Sequence, residues 1–317
     1  MDNLATRCPL CNGSSVLTSE RIPVERVVSR YKRLLGIDIN DEFSDLLSID
    51  YNRCSECDLG YFFPLVSGSE HFYKKLQKFS WYYMDEKNEY GFAQSFVNRT
   101  DNILEIGCGK GAFAKLVHGR SYLGLEFSKE AQYLATEKGI KVLNESIQDH
   151  SIKNALSYDV VCAFQVLEHV VDVCSFIESS VACLKTGGLL ILSTPSVDSF
   201  AALVPNFILD MPPHHVTRWS DISYNKISKI FNLELIELWH EPLQDIHRNF
   251  YAQTMFAQAV MRLFRQENLV WNDSIAHKLV SLACYLPAKL FSEILSFPLF
   301  HPRGISVTGV FRKHIGG

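Results

Sequence analysis

Leu104-Glu105-Ile106-Gly107-Cys108-Gly109-Lys110-Gly111 is the stretch that decides the fold. The apolar run NILEIG (102–107) reads as a strand and GAFAKLVHG (111–119) as a helix, with glycines at alternate positions between them. Without a Cβ, backbone there can turn tightly and lie against a ligand. About fifteen residues after the last glycine, the next strand YLGLEF (122–127) ends in Leu125-Glu126-Phe127. A carboxylate at that point can accept hydrogen bonds from both hydroxyls of a ribose. A glycine loop alone is weak evidence; strand, loop, helix, strand and acid in this order point to an adenosyl cofactor.

Outward from the loop the same alternation continues. SKEAQYLATEKG (128–139) reads as a helix, with Ser128 as N-cap and Gly139 as stop signal, and IKVLNE (140–145) as a strand. YDVVCAF (158–164) is the near-continuous apolar run of a strand buried on both faces. VCSFIESSVACLKTGG (173–188) reads as a helix ending in glycines, and LLILSTP (189–195) as a strand stopped by Pro195. A helix (220–231) and a strand (232–241) follow, then a greasy helical stretch to about residue 300, and GISVTGVFRK (304–313) alternates as a last strand. Such alternation means βαβ units and a parallel sheet covered by helices. The expected organisation is a domain over 71–317 with a helical insertion at about 243–302, preceded by a small module over 1–70.

An acid followed by G-x-G-x-G differs from the nicotinamide fingerprint G-x-G-x-x-G. It resembles motif I of the class I S-adenosylmethionine-dependent methyltransferases. The resemblance continues with Glu126 as the ribose acid, and with Phe164-Gln165-Val166-Leu167-Glu168-His169-Val170, which is similar to the VLEHV segment of the ubiquinone-biosynthesis-like branch. It covers residues about 71–240 and the final strand. It implies an α/β, Rossmann-like sheet, mostly parallel with the last strand antiparallel, and S-adenosylmethionine as cofactor. By the same resemblance Glu105 and Gly107 line the amino-acid part of the cofactor, with Gly109 and Gly111 completing the loop. Ser146 and Ile147 lie near adenine, although the family often has Asp where this chain has Glu145-Ser146, and Gln165 closes the site. A sulfonium cation is attracted to aromatic faces, so Tyr82, Tyr83 and Phe164 are candidates for its walls.

Cys8-Pro9-Leu10-Cys11 and Cys54-Ser55-Glu56-Cys57 are two CxxC pairs, each followed by a glycine (Gly13, Gly60). Four thiolates suit a closed, structural Zn2+ site, because they leave no coordination position open. The long gap between the pairs requires secondary structure over residues about 14–53. A similar cysteine-rich module precedes the methyltransferase domain of deoxysugar C-methyltransferases, which are longer and carry a further C-terminal domain.

The loop Asp210-Met211-Pro212-Pro213-His214-His215-Val216-Thr217-Arg218-Trp219-Ser220 follows a strand of the sheet. In such folds the loops beyond the carboxyl ends of the strands build the site. A Pro-Pro-His-His turn offers two imidazoles to remove a proton from an oxygen nucleophile, so His214 and His215 are the candidate general bases, with Asp210 placed to orient one of them. Similar loops occur in bacterial methyltransferases associated with surface polysaccharides and glycans, which implies a sugar or natural-product hydroxyl as acceptor. His169 reads as packing behind the cofactor loop.

The net charge of −4 over 317 residues argues against a nucleic-acid partner, and so does the absence of a basic, aromatic-rich run in 1–70. An RNA methyltransferase is therefore disfavoured. A non-catalytic cofactor-binding module that recruits a partner through its zinc domain has no need of the paired imidazoles. Nine cysteines, an odd count in apolar segments, suit a reducing compartment, and no signal peptide or spanning run is evident, so a cytoplasmic location is expected. Residues 275–300 are apolar and interrupted by charges. A helix covering the sheet edge is the first reading, with a substrate lid, a dimer surface or a membrane-surface helix as alternatives.

Overall fold

The computed structural model describes residues 7–79, 82, 84–264, 269–294 and 302–314. Tyr83 lies outside them.

The chain opens with the first CxxC knuckle and then β1 (Val16–Pro23), α1 (Val24–Leu35), the short α2 (Asn40–Phe43), β2 (Ser48–Cys54) and β3 (Gly60–Phe63). β1, β2 and β3 pair antiparallel. Helix α1 turns Val24, Val27, Val28 and Tyr31 inward at helical spacing and ends at Gly36, whose left-handed φ of 68° closes its last turn. α3 (Glu70–Leu76) and α4 (Asn88–Gln94) lead to the large sheet.

That sheet begins with β4 (Asn102–Ile106), β5 (Ser121–Leu125), α5 (Lys129–Thr136), β6 (Val142–Leu143), α6 (Ile147–Lys153) and β7 (Tyr158–Phe164). It continues through α7 (Val173–Cys183), β8 (Leu184–Pro195), the two-residue β9 (Thr217–Arg218), α8 (Asp221–Ile230) and β10 (Leu233–Pro242). The helices α9 (Arg248–Leu263), α10 (Ile275–Ala283) and α11 (Tyr285–Ile294) precede β11 (Arg303–Lys313). Seven strands align in the order β10-β11-β8-β7-β4-β5-β6. β8, β7, β4, β5 and β6 run parallel, while β11 inserts antiparallel between β8 and β10. The expected mostly parallel sheet with an antiparallel last strand is present.

Two local expectations are corrected. Residues 111–119 do not form an α-helix; only the 3-10 turn Phe113–Lys115 is present. Gly111 has a φ of 76°, and Gly119 lies so close to the Asp101 carbonyl that the chain has already turned back toward β5. The helix expected to run to Gly188 stops at Cys183, and β8 starts at once, carrying Gly187 and Gly188 within the strand.

β9 belongs to the other sheet, whose order is β1-β2-β3-β9. A strand from residues 217–218 thus completes the N-terminal sheet, and the two parts do not divide cleanly at residue 70. The buried Cys8, Leu10, Cys54, Cys57 and Leu59 share one apolar cluster with Leu167, Trp219 and Tyr224 of the large domain. The insertion helices α10 and α11 pack mainly on α9. Their outward Ile275, Leu279, Leu282, Leu286 and Leu290 are exposed. Among the described residues, no helix is long and apolar enough to cross a membrane.

Candidate active site

The strand order reverses between β4 and β7, so their following loops part and leave a crevice at their carboxyl ends. A cavity of about 1030 Å³ lies there, at the upper limit for small-molecule sites. At one end it is lined by Gly107, Gly109, Glu126, Ser146, Ile147 and Gln165. Its other end is lined by Glu168, His169, His214 and His215.

The glycine-loop end is held by its own near neighbours. Gly107, at φ 70°, approaches Val166 too closely to admit a Cβ. Gly109 N–H donates to Glu126 Oε2 at 2.9 Å, and Ser128 N–H donates to Oε1 at 2.7 Å. These two amides fix the carboxylate just beyond the tip of β5, where Glu126 lines the cavity. Burial raises the Glu126 carboxyl above its ordinary value, and the amide donors oppose that rise. Ser146 caps α6 by accepting from Asp149 N–H at 3.0 Å, which sets Ile147 in the wall. Gln165 takes a left-handed φ of 57° at the end of β7, and its amide donates to Glu89 Oε1 and Ser306 Oγ, both at 3.2 Å.

Two residues expected at the cofactor do not line the cavity. Glu105 is 1% exposed within β4 and accepts from the Tyr122 hydroxyl across the sheet. Burial pushes its carboxyl up to about 8. Gly111 packs under Ile140 and Ala135, where its missing Cβ leaves room for the α5–β6 connection. Of the aromatic candidates, Phe164 and Tyr82 line the cavity. The Tyr82 ring lies 6.2 Å from His214, at the histidine end.

At that end His214 and His215 stack with centroids 4.4 Å apart, and the His169 ring is 4.8 Å from each. His169 reads from the sequence as packing, yet it belongs to this cluster. His215 Nδ1 is 3.2 Å from Asp210 Oδ1, and Asp210 Oδ2 pairs with Arg218 at 2.7 Å. His214 Nδ1 is 2.9 Å from the Leu209 carbonyl, and His169 Nδ1 is 2.5 Å from the His214 carbonyl. Burial and neighbouring imidazoles hold His214 well below the ordinary histidine value; burial does the same for His215 and holds His169 at about 4. All three are therefore neutral near pH 7. Glu168 is 1% exposed, and burial pushes it to about 8.

The N-terminal sheet supports this loop directly. Phe62 N–H donates to the Val216 carbonyl at 3.0 Å, and Gly68 N–H to the Pro213 carbonyl at 2.7 Å. The Tyr31 hydroxyl donates to the Ile208 carbonyl at 2.7 Å, and the Arg218 guanidinium lies 5.4 Å from the centre of the Tyr51 ring. β2 and β3, which carry the support, are joined by the second cysteine knuckle. Cys8 Sγ is 3.4 Å from Cys57 Sγ, and Cys11 Sγ is 3.5 Å from Cys54 Sγ. All four sulfurs lie within 4.8 Å of one another. A tetrahedral Zn2+ with bonds of about 2.3 Å has edges of about 3.8 Å, so this set fits such an ion. The thiol hydrogen shared from Cys57 holds Cys8 down to about 6, which favours a first thiolate there.

Comparison with known proteins follows this geometry. The methyltransferase-domain family matches residues 75–263, more than half of the chain. A ubiquinone biosynthesis O-methyltransferase of Vibrio parahaemolyticus is 39% identical over 100 residues, which is 29% of this chain and 43% of that protein. The corresponding protein of Salmonella enteritidis is 32% identical over 123 residues, 35% of this chain and 51% of that one. The chain spans about half, or less, of the length of these curated relatives. A solved S-adenosylmethionine-dependent methyltransferase of Archaeoglobus fulgidus is similar over 71% of this chain and 91% of that one, at 14% identity and a TM-score of 0.47. With the glycine loop, the Glu126 carboxylate and the reversed strand order already in place, the family match makes the assignment: the chain belongs to the class I S-adenosylmethionine-dependent methyltransferases.

Proposed function

We propose that this methyltransferase acts on a hydroxyl oxygen of a small-molecule acceptor, with Glu126 and the loop after β4 holding S-adenosylmethionine and the histidine cluster receiving the acceptor. The observation that carries this reading is the continuity of the cavity. One space runs from Gly107, Gly109 and Glu126 to His169, His214 and His215. The names of the curated relatives support oxygen as the methylated atom, and they favour a ubiquinone-type acceptor over the sugar expected from the loop. Gly107 and Gly109 would admit the aminoacyl tail, Glu126 the ribose hydroxyls, and Ser146 and Ile147 the adenine.

When bound, the cofactor supplies a methyl carbon on a cationic sulfur: the acceptor oxygen forms a bond to that carbon, the carbon–sulfur pair stays on sulfur, and the hydroxyl proton must leave. Much of the rate in such an in-line displacement comes from positioning. His214 Nε2 is buried with no hydrogen-bond partner among the described residues, so it can accept the hydroxyl hydrogen and orient the oxygen. Asp210 keeps the His215 ring in place from behind. In the same reading residues 1–70 are a zinc-holding scaffold for the histidine loop.

The test is incubation with S-adenosylmethionine and a panel of phenols, catechols and sugars, following S-adenosylhomocysteine and the methylated product. Acceptor-dependent turnover with a new O–CH3 group is expected. Methylation at nitrogen or carbon only, or no acceptor-dependent turnover across the panel, overturns the reading.

A further inference from the structure

We propose that Glu168, His169, His214 and His215 form a binding site for one divalent transition-metal ion at the acceptor end of the cavity, separate from the cysteine site. The imidazoles come from two distant loops, yet their candidate ligand nitrogens all lie within 4.8 Å of one another. On every ring Nδ1 is already committed. His169 Nδ1 meets the His214 carbonyl, His214 Nδ1 the Leu209 carbonyl, and His215 Nδ1 the Asp210 carboxylate. Each acceptor requires an Nδ1–H, so this bonding assigns the tautomer and leaves each Nε2 with a free lone pair. A ligand histidine whose far nitrogen donates to a carbonyl or carboxylate is the usual outer arrangement around a bound metal.

Glu168 supplies the second, independent observation. Its carboxylate is buried, and neither oxygen has a hydrogen-bond partner among the described residues. Oε1 lies 3.9 Å from both His169 Nε2 and His215 Nε2. That separation is too long for hydrogen bonds, but it is near the ligand–ligand edge of about 3–3.5 Å implied by metal–ligand bonds of about 2.0–2.2 Å. Three orphaned polar atoms (both Glu168 oxygens and His214 Nε2) facing one space would be costly unless a cation satisfied them.

Three imidazoles with one carboxylate select a borderline ion such as Zn2+ or Co2+ over Mg2+, which prefers oxygen donors. The cluster opens on the cavity, so a further coordination position is available to the acceptor hydroxyl, whose acidity the ion would raise. With the ion bound, His214 Nε2 is a ligand and no longer accepts the hydroxyl hydrogen; the ion orients the oxygen in its place, and the hydroxyl proton leaves to solvent. The ion's role rests on the O-methyl transfer reading; its binding does not, and can be read without any acceptor.

The experiment loads metal-stripped full-length protein with Co2+ and counts ions per chain, reading the visible and near-ultraviolet spectrum. The wild type should take two ions, one with intense thiolate-to-metal bands and one without. Glu168→Gln and His215→Gln should lose the second ion, with affinity at least ~10-fold weaker, and keep the thiolate bands. S-adenosylmethionine affinity in the same preparations should be unchanged, which separates loss of the ion from loss of the fold. A wild type that takes only the thiolate-bound ion overturns the proposal. So does a second ion that persists undiminished in both variants.

Discussion

At the cofactor end, the carboxylate and the amide that hold each other, Glu126 and Gly109, are 17 residues apart, one crossing between adjacent strands of the sheet. At the histidine end, His169 and His214 are 45 residues apart and touch through a backbone carbonyl. Behind them stands Tyr31, which reaches Ile208 across 177 residues. One end is therefore folded by near neighbours, and the other is assembled by the N-terminal sheet. Long-range assembly costs loop-closure entropy and has to be repaid by something stiff. The cysteine knuckles and β9 supply that stiffness, because they hold β2 and β3 in the register that receives Val216 and Arg218.

Replacing Cys54 and Cys57 by Ser is the largest way to break this contrast. Without its fourth and third thiolates the knuckle cannot hold Zn2+, whose binding is worth folding free energy to small modules. The histidine loop then loses its support. Methyl transfer should fall by ~100-fold or more, the penalty of a misplacement of about 1 Å. S-adenosylmethionine affinity, read by calorimetry, should stay within about twofold, as for independent distant sites. A parallel loss of cofactor affinity would show that the two ends are one cooperative unit.

Glu126→Ala strikes the other end. It removes a carboxylate that would accept from the ribose and already accepts from Gly109 and Ser128. Hydrogen bonds to a charged group contribute about 1.5–3 kcal/mol, so calorimetry should show S-adenosylmethionine binding ~10–100-fold more weakly. Metal content should not change. If it did, the glycine-loop end would be reaching further than its bonds suggest.

The same contrast explains what the sequence made legible. The glycine spacing, Glu126 and the alternation of apolar runs all report local structure, and the sheet strands that the alternation pointed to are present. The cysteine pairs were legible because metal ligation needs only ligand spacing. His169 was not: nothing in Val166–Val170 says that residues 214–215 will stack against it, since that contact is set by pairing between β3 and β9. For the same reason no pattern in residues 1–70 revealed that their sheet would take its last strand from beyond the histidines. The absent helix after Gly111 is a local miss, made where a positive φ, invisible to periodicity, ended a good helical pattern.

Glu105 sharpens the comparison from inside the local end, because it keeps the motif's position without lining the cavity. Its carboxyl is pushed to about 8 by burial in β4, against an ordinary value of 4.5. A raised carboxyl means that the folded chain keeps a proton the unfolded chain releases. Stability is then full below about pH 4.5 and declines as pH rises toward 8. Glu105→Gln keeps a partner for the Tyr122 hydroxyl and removes the titration. Between pH 6 and 7 the wild type should lose ~1 kcal/mol relative to the variant, read from denaturant midpoints at the two pH values. S-adenosylmethionine affinity should barely move. If Glu105→Gln instead left the pH dependence alone and weakened the cofactor, the acid before the glycines would be a ligand contact rather than part of the sheet.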